Sequence, residues 1–327
     1  MSRPSARPAV VAVGGGHGCA RSLATLRRLD VDATAVVTVA DDGGSSGRIR
    51  RDHGVVALGD LRMALLALAE RGEPPTAAAD LARLAGRRFA RGELAGHSLG
   101  NLLLLGLLEE HDGDLMAALV AFGRLIGASG RVLPATTTPV TLSARTAEGT
   151  VTGQTAVATS RRILDVALAP SAPTAAPGVL DALASADLVL VGPGSLYTSV
   201  LPVLLVPGVA DALATSTGKV VLVGNLREQP GETEGMDLAD HVEALRQHLP
   251  DLRLDVVVAH VPSDAPTARR DVALGVDTDR LAAAGVTLVT ADLGDEADGH
   301  DPARLAPVLA GLVGVRTGAD EREGPPR

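Results

Sequence analysis

Tryptophan is absent from the 327 residues, and there are only one tyrosine, two phenylalanines and one cysteine. Recognition of single-stranded nucleic acid by base stacking needs aromatic platforms, so this composition argues against it. A net charge of −9 argues equally against a broad basic surface for duplex binding. A lone cysteine, Cys19, excludes an intrachain disulfide and a cysteine-based zinc site. Lys219 is the only lysine, so the glycine turn at residues 14–18 lacks the lysine that follows the last glycine of a Walker A loop. Long apolar runs are missing too. Leu102 to Leu108 is among the longest and is far too short to span a bilayer. Residues 1–8 carry Arg3 and Arg7 and run straight into an apolar stretch, with no h-region or cleavage site. The expectation is a cytoplasmic globular protein with no membrane span and no nucleic-acid partner.

What is present is organised around residues 9–18. Ala9 to Val13 is apolar and rich in β-branched residues, which reads as a buried strand. Gly14, Gly15, Gly16, His17 and Gly18 follow, and a helical pattern opens at Cys19. Strand, glycine turn and helix start together bring bare N–H groups and a positive helix end to a phosphate. The third glycine of the dinucleotide fingerprint is replaced by Cys19, so the turn indicates phosphate without naming the molecule.

Residues 34–40 form a second β-branched run, completing a βαβ unit and predicting parallel pairing. Helices are predicted over 60–71, with Asp60 as N-cap, and over 77–84, 98–108 and 114–126. Residues 132–169 read as a small antiparallel meander. Strands are then predicted at 187–191, 219–223, 254–258 and 286–289. The helices between and after them fall at 207–216, 237–248, 277–285 and 303–313. The fold class is α/β: one doubly wound Rossmann-like parallel sheet over 1–327. A helical block (about 60–127) and the small β meander (about 132–169) are inserted, and residues 316–327 are expected to be a disordered tail.

Several polar loops stand at predicted strand ends, where such folds bind ligands. Asp41, Asp42, Gly43, Gly44, Ser45 and Ser46 place two carboxylates beside flexible backbone. They suit Mg²⁺, ribose hydroxyls or a solvated turn. Gly192, Gly194, Ser195, Tyr197 and Thr198 suit a second phosphate cradle, with Tyr197 stacking on a ligand or packing inside. Asp60 and Arg62 read as a helix cap with an exposed arginine, or as ligand contacts. His97 and Asn101 lie four residues apart on one helix face, with Ser98 able to cap it. Asn225, Glu232 and Thr233 offer donors and acceptors to a base, a sugar or a metal-bound water. No catalytic nucleophile set can be assigned from chain order.

These loops in this order carry a resemblance. Val37 to Arg48, Gly59-Asp60-Leu61-Arg62, Gly96 to Asn101, Val132 to Thr136, Gly192 to Ser199 and Gln229 to Thr233 join the first glycine turn. Together they make the chain resemble the YvcK-type gluconeogenesis factors. These form the bacterial branch of the superfamily that includes 2-phospho-L-lactate transferase (the CofD-like proteins). The resemblance implies a Rossmann-type fold and a UDP-sugar ligand, notably UDP-N-acetylglucosamine. It also implies a link between gluconeogenic carbon metabolism, peptidoglycan precursor supply and cell shape. A cell-wall precursor enzyme is the implied protein partner, and a homo-oligomer is expected. The transferase branch is Mg²⁺-dependent and releases GDP, and its acidic pair is followed by a Ser-Pro-Asp-containing segment. Arg50-Arg51-Asp52-His53-Gly54 stands there instead, which favours the regulator branch. The chain departs from the common pattern at His17, Met63, Val203 and Gly299.

The reading is therefore a nucleotide-sugar-binding regulator with no required cofactor. Mg²⁺, at Asp41 and Asp42, is the metal expected to accompany a nucleotide. The alternatives are a Mg²⁺-dependent phosphoryl- or nucleotidyl-transferase, and an NAD-dependent oxidoreductase, which the broken third glycine argues against.

Overall fold

The computed structural model describes residues 7–69, 75–262, 273–295 and 299–315. The tail expected at 316–327 lies outside them. In chain order, β1 (Ala9–Gly14) leads through α1 (Gly16–Leu26) to β2 (Asp32–Val37). Five helices follow: α2 (Gly44–His53), α3 (Gly59–Leu68), α4 (Ala77–Ala85), α5 (Leu99–Glu110) and α6 (Leu115–Leu125). After β3 (Arg131–Pro134) come β4 (Thr141–Thr146), β5 (Gly149–Thr152), α7 (Gln154–Ala158) and β6 (Ile163–Ala169). The alternation resumes with α8 (Val179–Ala184), β7 (Leu188–Val191), a π-turn at Leu196–Val200, α9 (Leu201–Leu204) and α10 (Val209–Thr215). It continues through β8 (Lys219–Val223), α11 (Leu238–His248), β9 (Val256–His260), α12 (Thr278–Ala283) and β10 (Thr287–Ala291). A two-strand ribbon, β11 (Gly294–Asp295) with β12 (Gly299–His300), precedes α13 (Pro302–Val313).

Seven strands form one parallel sheet in the order β10-β9-β8-β7-β1-β2-β3. Val10 to Val13 and Leu188 to Val191 are buried on both faces. This is why these strands read as continuous apolar runs rather than alternations. The chain winds from β1 outward through β2 and β3. It then returns to the other side of β1 as β7 and winds away through β8 to β10. β1 and β7 thus flank the reversal point, where carboxyl-end loops splay apart and leave a crevice.

Four local expectations are corrected. Residues 131–134 do not belong to the meander; β3 pairs in parallel with β2, Ala35 opposite Val132. The reason lies in the side chains. Val132 and Leu133 are consecutive buried residues, as two-sided burial requires, whereas β4 alternates. Pro134 is tolerated because β3 is the sheet edge. The antiparallel unit is therefore the three-strand sheet β5-β4-β6. The glycine-serine stretch after Asp42 is helical from Gly44, and Gly54 closes it in the left-handed region (φ 69). Asp60 is not an N-cap: Leu58 holds that position in α3, and Asp60 sits in the first turn. Ser98 occupies the N-cap position of α5 but makes no capping bond, because its hydroxyl donates to the Ala85 carbonyl (3.2 Å).

Among the described residues no single helix is long and apolar enough to cross a membrane.

Candidate functional site at the strand-order reversal

A cavity of about 450 Å³ opens at the reversal point. Its walls come from α1 (His17, Gly18, Arg21), the loop after β7 (Pro193, Gly194), the loop after β8 (Asn225 to Arg227, and Gln229) and β12 (Gly299, His300). α1 begins at Gly16 rather than Cys19, so the helix N-terminus itself lines the cavity. Gly15 is its N-cap and supplies no side-chain bond, and the first turn holds no acid. The N–H groups of His17 and Gly18 have no partner among the described residues. Two open amide donors at a positive helix end, with Arg21 and Arg227 in the same walls, form a phosphate-type environment. Gly18 must be glycine: a Cβ there would fall on the Pro193 carbonyl.

The loop after β7 is less open than its composition implies. Gly194 N–H donates to Asn225 Oδ1 (3.0 Å). Tyr197 N–H and Thr198 N–H both donate to Glu232 Oε1 (2.7 and 3.0 Å), and the Thr198 hydroxyl donates to the same carboxylate. Gln229 Nε2 donates to Ser195 Oγ (2.7 Å), and Thr233 Oγ1 accepts from Gln229 N–H (3.0 Å). Glu232 therefore occupies, from inside the protein, the amides expected to face a phosphate. Burial pushes its carboxyl pKa up, and the Tyr197 and Thr198 amides pull it back. Tyr197 is buried with its ring edge-on to His248 (6.0 Å), and burial and Glu232 push its phenol up to about 12. It is not a wall of the cavity.

The acidic residues pair differently from their adjacency in sequence. Asp42 turns to α7, where Oδ1 accepts from Thr155 N–H (2.9 Å) and Thr155 Oγ1 (2.8 Å). Asp41 accepts from Gly43 N–H (2.9 Å) and stands near Asp60. Burial, and then the Asp41 charge, push Asp60 up to about 7, although it accepts from Gly16 N–H. A Cβ on Gly15 would stand 2.6 Å from Asp60 Oδ2, so the bare glycine lets the carboxylate reach the start of α1. Asp41 with Asp60, rather than Asp41 with Asp42, is the pair whose charge a divalent cation would offset. Two carboxylates with water and phosphate oxygens are a usual Mg²⁺ environment. No group of three or more His, Cys, Asp or Glu with metal-binding geometry occurs among the described residues.

A buried polar chain joins α2, α3 and α5. Arg62 Nε donates to Asn101 Oδ1 (2.8 Å), and Asn101 Nδ2 donates to Ser45 Oγ (3.0 Å). Ser45 Oγ lies 3.1 Å from His97 Nδ1. Burial and the Arg48 charge push the His97 pKa down, which favours the neutral ring beside the Ser45 hydroxyl. Ser46 packs against Gly59, where a Cβ would fall on its Oγ.

The fold thus brings Gly14 to Gly18, Gly192, Gly194 and Asn225 to one crevice, with Asp41 and Asp60 beside the first turn of α1. It gives Tyr197, Thr198, Glu232 and Thr233 internal partners. The site reading missed Arg21, Arg227, Gly299 and His300. His300 Nε2 bonds the Gly224 carbonyl (3.0 Å), and burial, with His260 and Arg21, holds its pKa at about 4. Its one sequence signal is a histidine between Gly299 and Asp301, just before a helix.

The profile of the family described as 2-phospho-L-lactate transferase CofD matches residues 10–294. A putative gluconeogenesis factor of Mycobacterium tuberculosis is 40% identical over 329 residues, covering 95% of this chain and 92% of that protein. The gluconeogenesis factor of Bacillus subtilis is 41% identical over 246 residues, covering 74% and 75%. A crystal structure of a UPF0052-family protein from Bacillus halodurans superposes with a TM-score of 0.85 at 35% identity, covering 93% of this chain and 99% of that one. With the parallel sheet, its small antiparallel insertion and the crevice loops in place, the chain belongs to the CofD family, among the relatives named gluconeogenesis factors.

Proposed function

We propose that the crevice binds a nucleotide-sugar of the UDP-N-acetylglucosamine type, and that the protein acts as a regulator. It would couple gluconeogenic carbon supply to cell-wall precursor supply and cell shape. One observation carries the ligand class. The first turn of α1 carries no acid of its own, and it presents two amides without partners among the described residues to a cavity that also holds Arg21 and Arg227. That arrangement favours a diphosphate over a neutral ligand. The cavity volume suits a nucleotide-sized molecule. Calorimetry tests the reading: UDP-N-acetylglucosamine binds more tightly than UMP or NAD. Tighter NAD binding, or no heat at micromolar protein, overturns it.

The Asp41–Asp60 pair supports a second reading, a Mg²⁺-dependent phosphoryl- or nucleotidyl-transferase. In that case Asp41 and Asp60 would hold Mg²⁺, which would supply charge stabilisation for a phosphoryl leaving group. Ligand binding that persists undiminished in EDTA, with no nucleotide release in Mg²⁺, favours the regulator.

A further inference from the structure

Arg62 is 5% exposed, yet no carboxylate lies within ion-pair distance of it among the described residues. Its only hydrogen bond runs from Nε to Asn101, so Nη1 and Nη2 have no protein acceptor there. Neither nitrogen is sealed in the interior, because His241 Nε2 is the one buried side-chain nitrogen or oxygen without a partner among the described residues; the largely buried side chain thus keeps two N–H-bearing groups open to an anion. Burial and the nearby Arg88 charge depress its pKa to about 10, and Asp60 opposes this more weakly. The surroundings are cationic as well. Arg48 Nη2 donates to the Ala95 carbonyl (2.8 Å), and Arg88 Nη1 donates to the next one, Gly96 (3.0 Å). Neither forms an ion pair among the described residues, although the chain as a whole is acidic. The backbone is shaped to the arginines: a Cβ on Gly100 would stand 2.7 Å from Arg62 Cδ, and one on Gly96 would stand 3.1 Å from Arg48 Nη2. None of the three arginines lines the cavity at the strand-order reversal.

We infer that Arg62, with Arg48 and Arg88 at its rim, forms a second anion site that takes a compact oxyanion, the phosphate or carboxylate group of a small ligand. Guanidinium forks match such groups bidentately. The Arg62–Asn101–Ser45–His97 chain fixes the fork by holding Nε, which leaves Nη1 and Nη2 to the ligand. This inference does not rest on the nucleotide-sugar reading, since Arg48, Arg62 and Arg88 are not among the walls of that cavity, although α3 also carries Asp60 to the start of α1.

The test is titration of the full chain with inorganic phosphate, and in a second arm with malonate, at constant ionic strength. Calorimetry is combined with the Arg62 Nε–H NMR resonance, which Arg62→Lys identifies by its loss. Saturable binding that shifts this resonance is expected, and Arg88→Ala, an exposed change, should weaken it about tenfold. Preference for one arm distinguishes a phosphate ligand from a carboxylate one. Phosphate should bind equally well when UDP-N-acetylglucosamine is saturating. Absence of saturation, an unmoved Arg62 resonance, unchanged affinity in Arg88→Ala, or competition with the nucleotide-sugar overturns the second site. A chain that binds phosphate here but no UDP-sugar overturns only the nucleotide reading.

Discussion

Asn225 holds Gly194 from both sides: its Oδ1 accepts from the Gly194 N–H at 3.0 Å, and its Nδ2 donates to the Gly194 carbonyl at 3.1 Å. One side chain from the end of β8 thereby fixes the loop after β7, which forms a wall of the crevice. Asn225→Asp keeps an acceptor for the N–H but sets a carboxylate oxygen against the carbonyl and adds negative charge to a phosphate-type cavity. The expected outcome is at least a tenfold loss of UDP-N-acetylglucosamine affinity. The accompanying loss of stability is about 1–3 kcal/mol. Calorimetry and urea unfolding on the same preparation check both.

Glu232 separates charge from hydrogen-bond geometry. Glu232→Ala strands the Tyr197 and Thr198 amides in a buried position, costing about 2–4 kcal/mol. Glu232→Gln retains an acceptor oxygen and removes a carboxylate that burial already disfavours. It should cost less than about half as much. Equal denaturation midpoints for the two variants would contradict this role for Glu232.

Asp60 makes stability depend on pH. Its folded-state pKa is about 7 against an ordinary 3.8, so the folded protein holds the proton more tightly than the unfolded chain. That contribution is complete below about pH 4 and fades as pH rises to about 7, by no more than about 4 kcal/mol. Asp60→Asn should flatten the dependence: urea midpoints at pH 5 and pH 8 should lie closer together than in the unaltered protein. Mg²⁺ bound at Asp41 and Asp60 would favour the ionised form and raise the pH 8 midpoint of the unaltered protein alone.

Asp41 and Asp42 should fail differently. Asp42→Ala removes both Thr155 bonds and frees α7 from the strand end, so amide exchange over residues 153–159 should accelerate. Asp41→Ala removes one loop bond and one member of the carboxylate pair. It should leave that exchange unchanged and lower the Asp60 pKa toward its ordinary range, as carboxyl NMR titration reads directly. Identical exchange profiles would show that Asp42 does not anchor the insertion.

Much of the architecture was legible in the chain. Val10 to Val13, Leu188 to Val191 and Val220 to Val223 are consecutive apolar residues because their strands are covered on both faces, and that pattern alone indicates a parallel sheet. Gly14, Gly15, Gly16 and Gly18 marked the first strand end for the same local reason, since the backbone there must bend and approach a neighbour closely. Other features had no local signal. α2 is too polar to show an apolar face, so its helical state was hidden. β3 is too short for its two-sided burial to stand out from the meander beside it. Partner choice was beyond sequence altogether. Asp42 is covalently next to Asp41, but α7 lies within reach of Asp42 and the start of α3 within reach of Asp41, so their carboxylates serve different elements. Glu232 was legible as a polar loop residue. Only the packing of its loop against Tyr197 and Thr198 made it the internal anion of that turn, because a hydrogen bond across 34 residues is set by tertiary distance and not by spacing.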